Sequence, residues 1–98
     1  MSGGDWKQLF KGIQENDLEL VKYYLRIGID PNYQHPEYMA LPLSESIRYS
    51  NLEIAKLLLS NGADPSITEL ESGMTPLELS AKLKKEPFFE LLHKYLKS

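Results

Sequence analysis

The segments IGIDPN (Ile27–Asn32) and NGADPS (Asn61–Ser66) write almost the same punctuation twice, 34 positions apart. Each follows a leucine-rich run and places Gly-x-Asp-Pro where that run stops. Glycine supplies the left-handed conformation that ends a helix, and a residue before proline resists resuming one. Each segment is therefore read as ending a helix and launching an extended loop. The same offset aligns Leu18, Glu19, Lys22 and Leu25 with Leu52, Glu53, Lys56 and Leu59. It also matches Pro42 with Pro76, Ser46 with Ser80, Leu57 with Leu91 and Leu58 with Leu92, and it puts Leu9, Leu43 and Leu77 in one column. A chain of 98 residues that repeats itself at this period is an array of three units.

Each unit reads as two short helices and a loop. In the middle unit Pro42 marks a helix start, where its missing N–H costs nothing, and LSESIRYS follows. Asn51 is the expected cap of LEIAKLLLS, whose Leu52, Ala55, Leu58 and Leu59 share one face at helical spacing. The first unit offers WKQLFKGIQ and LELVKYYLRI, the last PLELSAKLKK and FFELLHKYLK. Two short amphipathic helices cannot bury their apolar faces alone, so the units must stack. The expected fold is all-α: a helix-turn-helix solenoid of about six short helices with long finger loops.

Composition limits what such a stack does. The length suits one domain, with 42% hydrophobic and 26% charged residues, as in soluble globular proteins. A net charge of −3 argues against nucleic-acid binding, which needs a surplus of Lys and Arg on one face. Lys82, Lys84 and Lys85 cluster, and are read as a solvated helix face. Without cysteine there are no disulfides, thiol chemistry or cysteine-based metal sites. No apolar run approaches the roughly 18 residues of a membrane span, and the first residues do not read as a secretory signal, so the expected location is cytoplasmic.

The segments GMTPLELSA (Gly73–Ala81) and NLEIAKLLLSNGADPS (Asn51–Ser66) resemble the ankyrin repeat. The resemblance covers residues 5–97 and points to one domain over residues 1–98, in units 5–38, 39–72 and 73–97. The family's usual period is about 33, so each long loop is expected to carry one extra residue. The family histidine after Thr-Pro-Leu is replaced by Ser44 and Glu78, and its threonine by Leu41 in the second unit. Part of the hydrogen-bond network those residues make in the family is expected to be lost, lowering stability. The first unit opens with Asp5-Trp6, as an N-terminal cap, and Lys94 and Lys97 make the last helix a polar C-terminal cap.

No catalytic constellation survives inspection. His35 and His93 lie in different units and give no metal-ligand spacing. Glu69 and Glu71 flank Leu70, but as exposed acidic loop residues they are expected to be solvated. Ser44, Ser46 and Ser80 have no neighbouring base in sequence, and no cofactor motif is present.

What the resemblance implies is binding of a protein partner through finger tips and the concave face of the first helices. The corresponding positions are Tyr33, His35, Glu37 and Tyr38 in the first finger, and Ile67, Glu69, Leu70, Glu71 and Met74 in the second. The first helices add Gln14 and Glu15, Arg48 and Tyr49, and Lys82 and Leu83 at their exposed ends. Tyrosine and arginine are enriched at binding hot spots, and the apolar Ile67, Leu70 and Met74 stand in a segment expected to be largely exposed. Met74 has packing as its competing role, and Tyr23, Tyr24 and Tyr95 are read as inter-helix packing. The leading reading is a non-catalytic interaction module, monomeric when unbound, that binds neither nucleic acid nor membrane. It would act as an inhibitor, antitoxin-like regulator or adaptor; the alternative is a self-associating structural repeat.

Overall fold

Three helical hairpins stack side by side in a computed structural model that describes residues 4–97. The helices are α1 (Gly4–Gln14), α2 (Leu18–Arg26), α3 (Pro42–Arg48), α4 (Leu52–Ser60), α5 (Pro76–Lys82) and α6 (Glu86–Lys97). No strand occurs among the described residues. Within each unit the first helix packs on the second; α1, α3 and α5 form one row, and α2, α4 and α6 the other. Residues 27–41 and 61–75 form the two fingers.

The period seen in the sequence recurs in the backbone. Left-handed residues fall in columns 34 apart: Asn16, Ser50 and Lys84 at φ 56°, 58° and 57°, Gly28 and Gly62 at 103° and 97°, Met39 and Gly73 at 53° and 71°. Each of the first two columns closes a helix in one way. The residue after the left-handed one donates its N–H to a carbonyl five residues back: Asp17 to Gly12 at 2.8 Å, Ile29 to Tyr24 at 3.1 Å, Asn51 to Ser46 at 2.9 Å. Only at the finger entrances does the sequence use glycine for this. At the short turns Asn16, Ser50 and Lys84 adopt the conformation, so α3 and α5 end two and three residues before the expected Ser50 and Lys85.

Gly12, Ser46 and Ser80 occupy a further column, where the two helices of a hairpin approach closely. A Cβ at Gly12 would lie 3.0 Å from Val21 Cγ2. The Ser46 and Ser80 hydroxyls turn inward to the carbonyls of Leu43 (2.6 Å) and Leu77 (2.7 Å), which satisfies them without a base. Between the rows lies one core, with Leu9, Ile13, Val21, Leu43, Ile47, Ile54, Leu58, Leu79, Phe88 and Leu92 all buried. Fully burying such a side chain contributes about 1.5–3 kcal/mol.

Asn51 precedes α4 as expected, but its side chain does not cap that helix. It reaches back to donate to the Ile13 carbonyl at the end of α1. Lys85 stands 34 positions later and does the same for α3, donating to the carbonyls of Ile47 (3.0 Å) and Arg48 (3.2 Å) and to Ser50 Oγ. Lys85 is therefore a half-buried cap rather than part of a solvated basic face, because the α3 carbonyls it meets have no helical partners. Tyr23 and Tyr95, expected to pack between helices, are exposed, while Tyr24 packs against the core. His93 is exposed and stacks on Phe89 at 5.8 Å.

Candidate functional site

The first finger is an aromatic clamp on α1. His35 stacks on Trp6 with ring centroids 3.8 Å apart, and Tyr38 meets Trp6 edge-on at 4.5 Å and Phe10 at 5.7 Å. Tyr33 leans on His35 at 6.0 Å, and His35 Nδ1 accepts the Glu37 N–H at 3.1 Å. Trp6, Phe10 and Ala40 are buried beneath, as a satellite to the main core. His35 is thus half-buried between rings, and its ring holds the finger to the helix. Tyr33 and Tyr38 keep one side in solvent.

Two amides then sew the first finger to the second. Asn32 Nδ2 donates to the Gly62 carbonyl at 3.0 Å while its Oδ1 accepts the Asp64 N–H at 2.8 Å. Gln34 Nε2 donates to the Thr68 carbonyl at 3.1 Å while its Oε1 accepts the Leu70 N–H at 2.7 Å. The Glu71 N–H donates to the Met39 carbonyl at 2.7 Å. Asn32 and Gln34 were not singled out from the sequence. Their role depends on a backbone some 30 residues away, and amides in a loop carry no pattern that announces it. At the second finger's base, hydrogen bonds from Ser66 hold the Asp64 carboxyl below its ordinary 3.8.

Glu69 overturns its expected place as a solvated finger residue offered to a partner. It is 0% exposed. Its Oε2 accepts the Leu41 N–H at 3.0 Å and Arg48 Nη1 at 2.9 Å, and its Oε1 accepts Arg48 Nη2. Arg48 Nη1 also donates to Glu45 Oε1 at 3.1 Å, and Gln14 Nε2 donates to Glu45 Oε2 at 2.8 Å. One chain of polar contacts thus runs from α1 across α3 to the second finger. Donating to Glu69 raises the Arg48 guanidinium above its ordinary value, against the opposing effect of burial. The physical reason for burying Glu69 lies at the start of α3. Ser44 stands 34 positions before Glu78, whose side chain returns to the N-cap N–H of α5; serine is too short to do the same, and the carboxylate from the next finger takes the orphan Leu41 N–H.

The other sites divide accordingly. Ile67 is half-buried and Met74 packs against the main core, so of the three apolar finger residues expected in solvent only Leu70 stands clear, at 61% exposed. Tyr49 is 48% exposed at the end of α3, and Lys82 is exposed at the end of α5. Glu37, Tyr38, Ala40, Glu45, Arg48 and Glu71 together line a shallow groove between the fingers, over α3. A second groove, on the other row of helices, is lined by Leu52, Lys56, Phe89, Leu91, His93 and Lys94 among others.

The family description "Ankyrin repeats (3 copies)" matches residues 9–97. The chain belongs to the ankyrin repeat family. No curated protein matched it. Ankyrin repeats are generally protein–protein interaction modules without catalytic activity of their own. The Thr-Pro opening of this family is intact only before α5, where Thr75 Oγ1 accepts the Glu78 N–H at 3.2 Å and Glu78 Oε1 accepts the Thr75 N–H at 2.9 Å. Glutamate in the family's histidine position therefore closes a capping box, and the expected loss of that network does not hold in the third ankyrin unit. In the second it is replaced by Glu69. Among the described residues no helix is long and apolar enough to cross a membrane.

Proposed function

We propose that this ankyrin stack is a non-catalytic module that takes a protein segment across α3 and between its two fingers, in the role of an inhibitor, antitoxin-like regulator or adaptor. The observation that carries the reading is the combination of a stitched finger pair with large side chains left exposed beside it. Asn32, Gln34 and Glu69 hold the fingers in place, while Tyr49 and Leu70 project into solvent. A surface ordered before the partner arrives loses less conformational entropy on binding. Exposed tyrosine and leucine beside a groove are the residue types that anchor interfaces. Tyr33, Tyr38, Glu37, Glu71, Arg48 and Lys82 complete this surface; Glu69, Met74 and His35 serve it from beneath. The net charge of −3 favours a protein over a nucleic acid, and the absence of cysteine suits the cytoplasm.

Affinity capture from native lysate tests the reading, comparing the wild-type chain with a Tyr49→Ala/Leu70→Ala variant. Both side chains are largely exposed, so the variant keeps its helical circular dichroism. The expected result is a stoichiometric partner retained by the wild type and lost by the variant. Equal capture by both would move the binding face elsewhere. A mass that grows with concentration in light scattering would favour self-association instead.

A further inference from the structure

The geometry points to a partner segment that is basic as well as apolar, held with its Lys or Arg side chains between Glu37 and Glu71. This rests on the finger surface proposed above and names the chemistry that surface accepts. Three observations converge on it. First, the finger tips form a continuous ridge, because the Glu71 N–H is bonded to the Met39 carbonyl and the Leu70 N–H to Gln34. Along that ridge Tyr38, Met39 and Leu70 are all exposed large apolar groups. Second, the groove beside it contains one cation, Arg48, and its charge is already met. Glu69 takes both guanidinium nitrogens and Glu45 shares one of them.

Third, the carboxylates of Glu37 and Glu71 stand in equivalent positions of the two fingers, 34 apart, and line the same groove. Among the described residues, no Lys, Arg or His nitrogen lies within 4.0 Å of either. The burial of Glu69 is what gives the surface its sign. Had Glu69 been solvated, Arg48 would keep only Glu45 as a partner and would turn its second guanidinium nitrogen to the groove. With Glu69 beneath it, the exposed charge of the groove is that of Glu37 and Glu71. A segment with apolar side chains for the ridge and a cation for the groove complements both features, and an acidic one is repelled. The Tyr38 ring forms a wall against which the aliphatic stem of such a cation lies.

The test is a titration of the full chain, followed residue by residue from amide resonances. The probes are two synthetic 12-residue peptides of Leu and Ser with Lys at every third position, or with Glu in its place. The Lys peptide is expected to shift the amides of Glu37, Tyr38 and Glu71, with an apparent affinity that falls as salt is raised. The Glu peptide is expected to leave them unmoved. Glu37→Gln/Glu71→Gln keeps shape and removes charge, and should weaken the Lys peptide about three- to ten-fold. Shifts from neither peptide, equal shifts from both, or shifts outside the fingers would overturn the proposal. So would an unchanged affinity in the double variant. Each of those outcomes leaves partner capture through Tyr49 and Leu70 standing, so the two readings fail separately.

Discussion

The pair formed by Glu69 and Arg48 is unequal, and the inequality predicts how it breaks. The Glu69 side chain is wholly buried, whereas the Arg48 side chain is 26% exposed. Removing the arginine leaves a carboxylate away from water with only the Leu41 N–H for company. Removing the glutamate's charge leaves a guanidinium that still bonds Glu45 and reaches solvent. Arg48→Met is therefore expected to cost about 3–5 kcal/mol, the range for stranding a buried charge. Glu69→Gln, which keeps an acceptor for Leu41, should cost about 1–2 kcal/mol. Urea denaturation of the two variants checks the order, and a larger loss in Glu69→Gln would contradict the burial argument. Neither residue type nor spacing marked Glu69 as interior. Flanked by Thr68 and Leu70 in a loop, it reads as solvated, and only the short Ser44, where α5 has Glu78, hints that the Leu41 N–H needs an acceptor from elsewhere.

At the scale of elements, the repeated unit is defined as much by how its helices end as by how they pack. Five of the six helices close through a left-handed residue, but glycine announces only two of those closures. The others use Asn16, Ser50 and Lys84, so the sequence separates the helices at the short turns but places the ends of α3 and α5 two and three residues late. Helix starts differ more than helix ends. α2 is capped by Asp17, α5 by the reciprocal pair of Thr75 and Glu78, and α3 by Glu69 from the next finger. Thr75→Ala removes the capping box from an isolated position near the C-terminal end, where nothing substitutes for it. The expected loss is about 1 kcal/mol, measured as a lower urea midpoint with an unchanged slope.

For the whole molecule, position in the stack sets stability. Among the described residues, α3 packs on α1, α4 and α5, and α4 on α2, α3 and α6, whereas α1, α2, α5 and α6 each have fewer principal helix neighbours. In a stacked array, stability is the sum of each unit and its interfaces, so the central unit opens last. Native-state hydrogen exchange should therefore find the slowest amides in α3 and α4, with those of α6 exchanging about ten-fold faster or more. Equal protection throughout would mean that the three units unfold only as one body. The second finger inherits this gradient, since Glu69 ties it to α3 in the central unit, whereas the first finger is clamped to α1.

What the sequence determined by itself was the set of features that repeat. The 34-residue period, the helix pairs, the glycine stops at 28 and 62 and the family membership all follow from local pattern, because side-chain periodicity and glycine's freedom act within a few residues. What only the tertiary structure decided was the fate of residues whose partners lie one repeat away. Asn51 caps a helix 38 residues earlier instead of its own. Asn32 and Gln34 bond the backbone of the second finger. Glu69 is interior and not a contact, and Met74 is packing and not surface. A buried polar group goes wherever an orphan donor or acceptor remains, and stacking the repeats is what brings that orphan within reach.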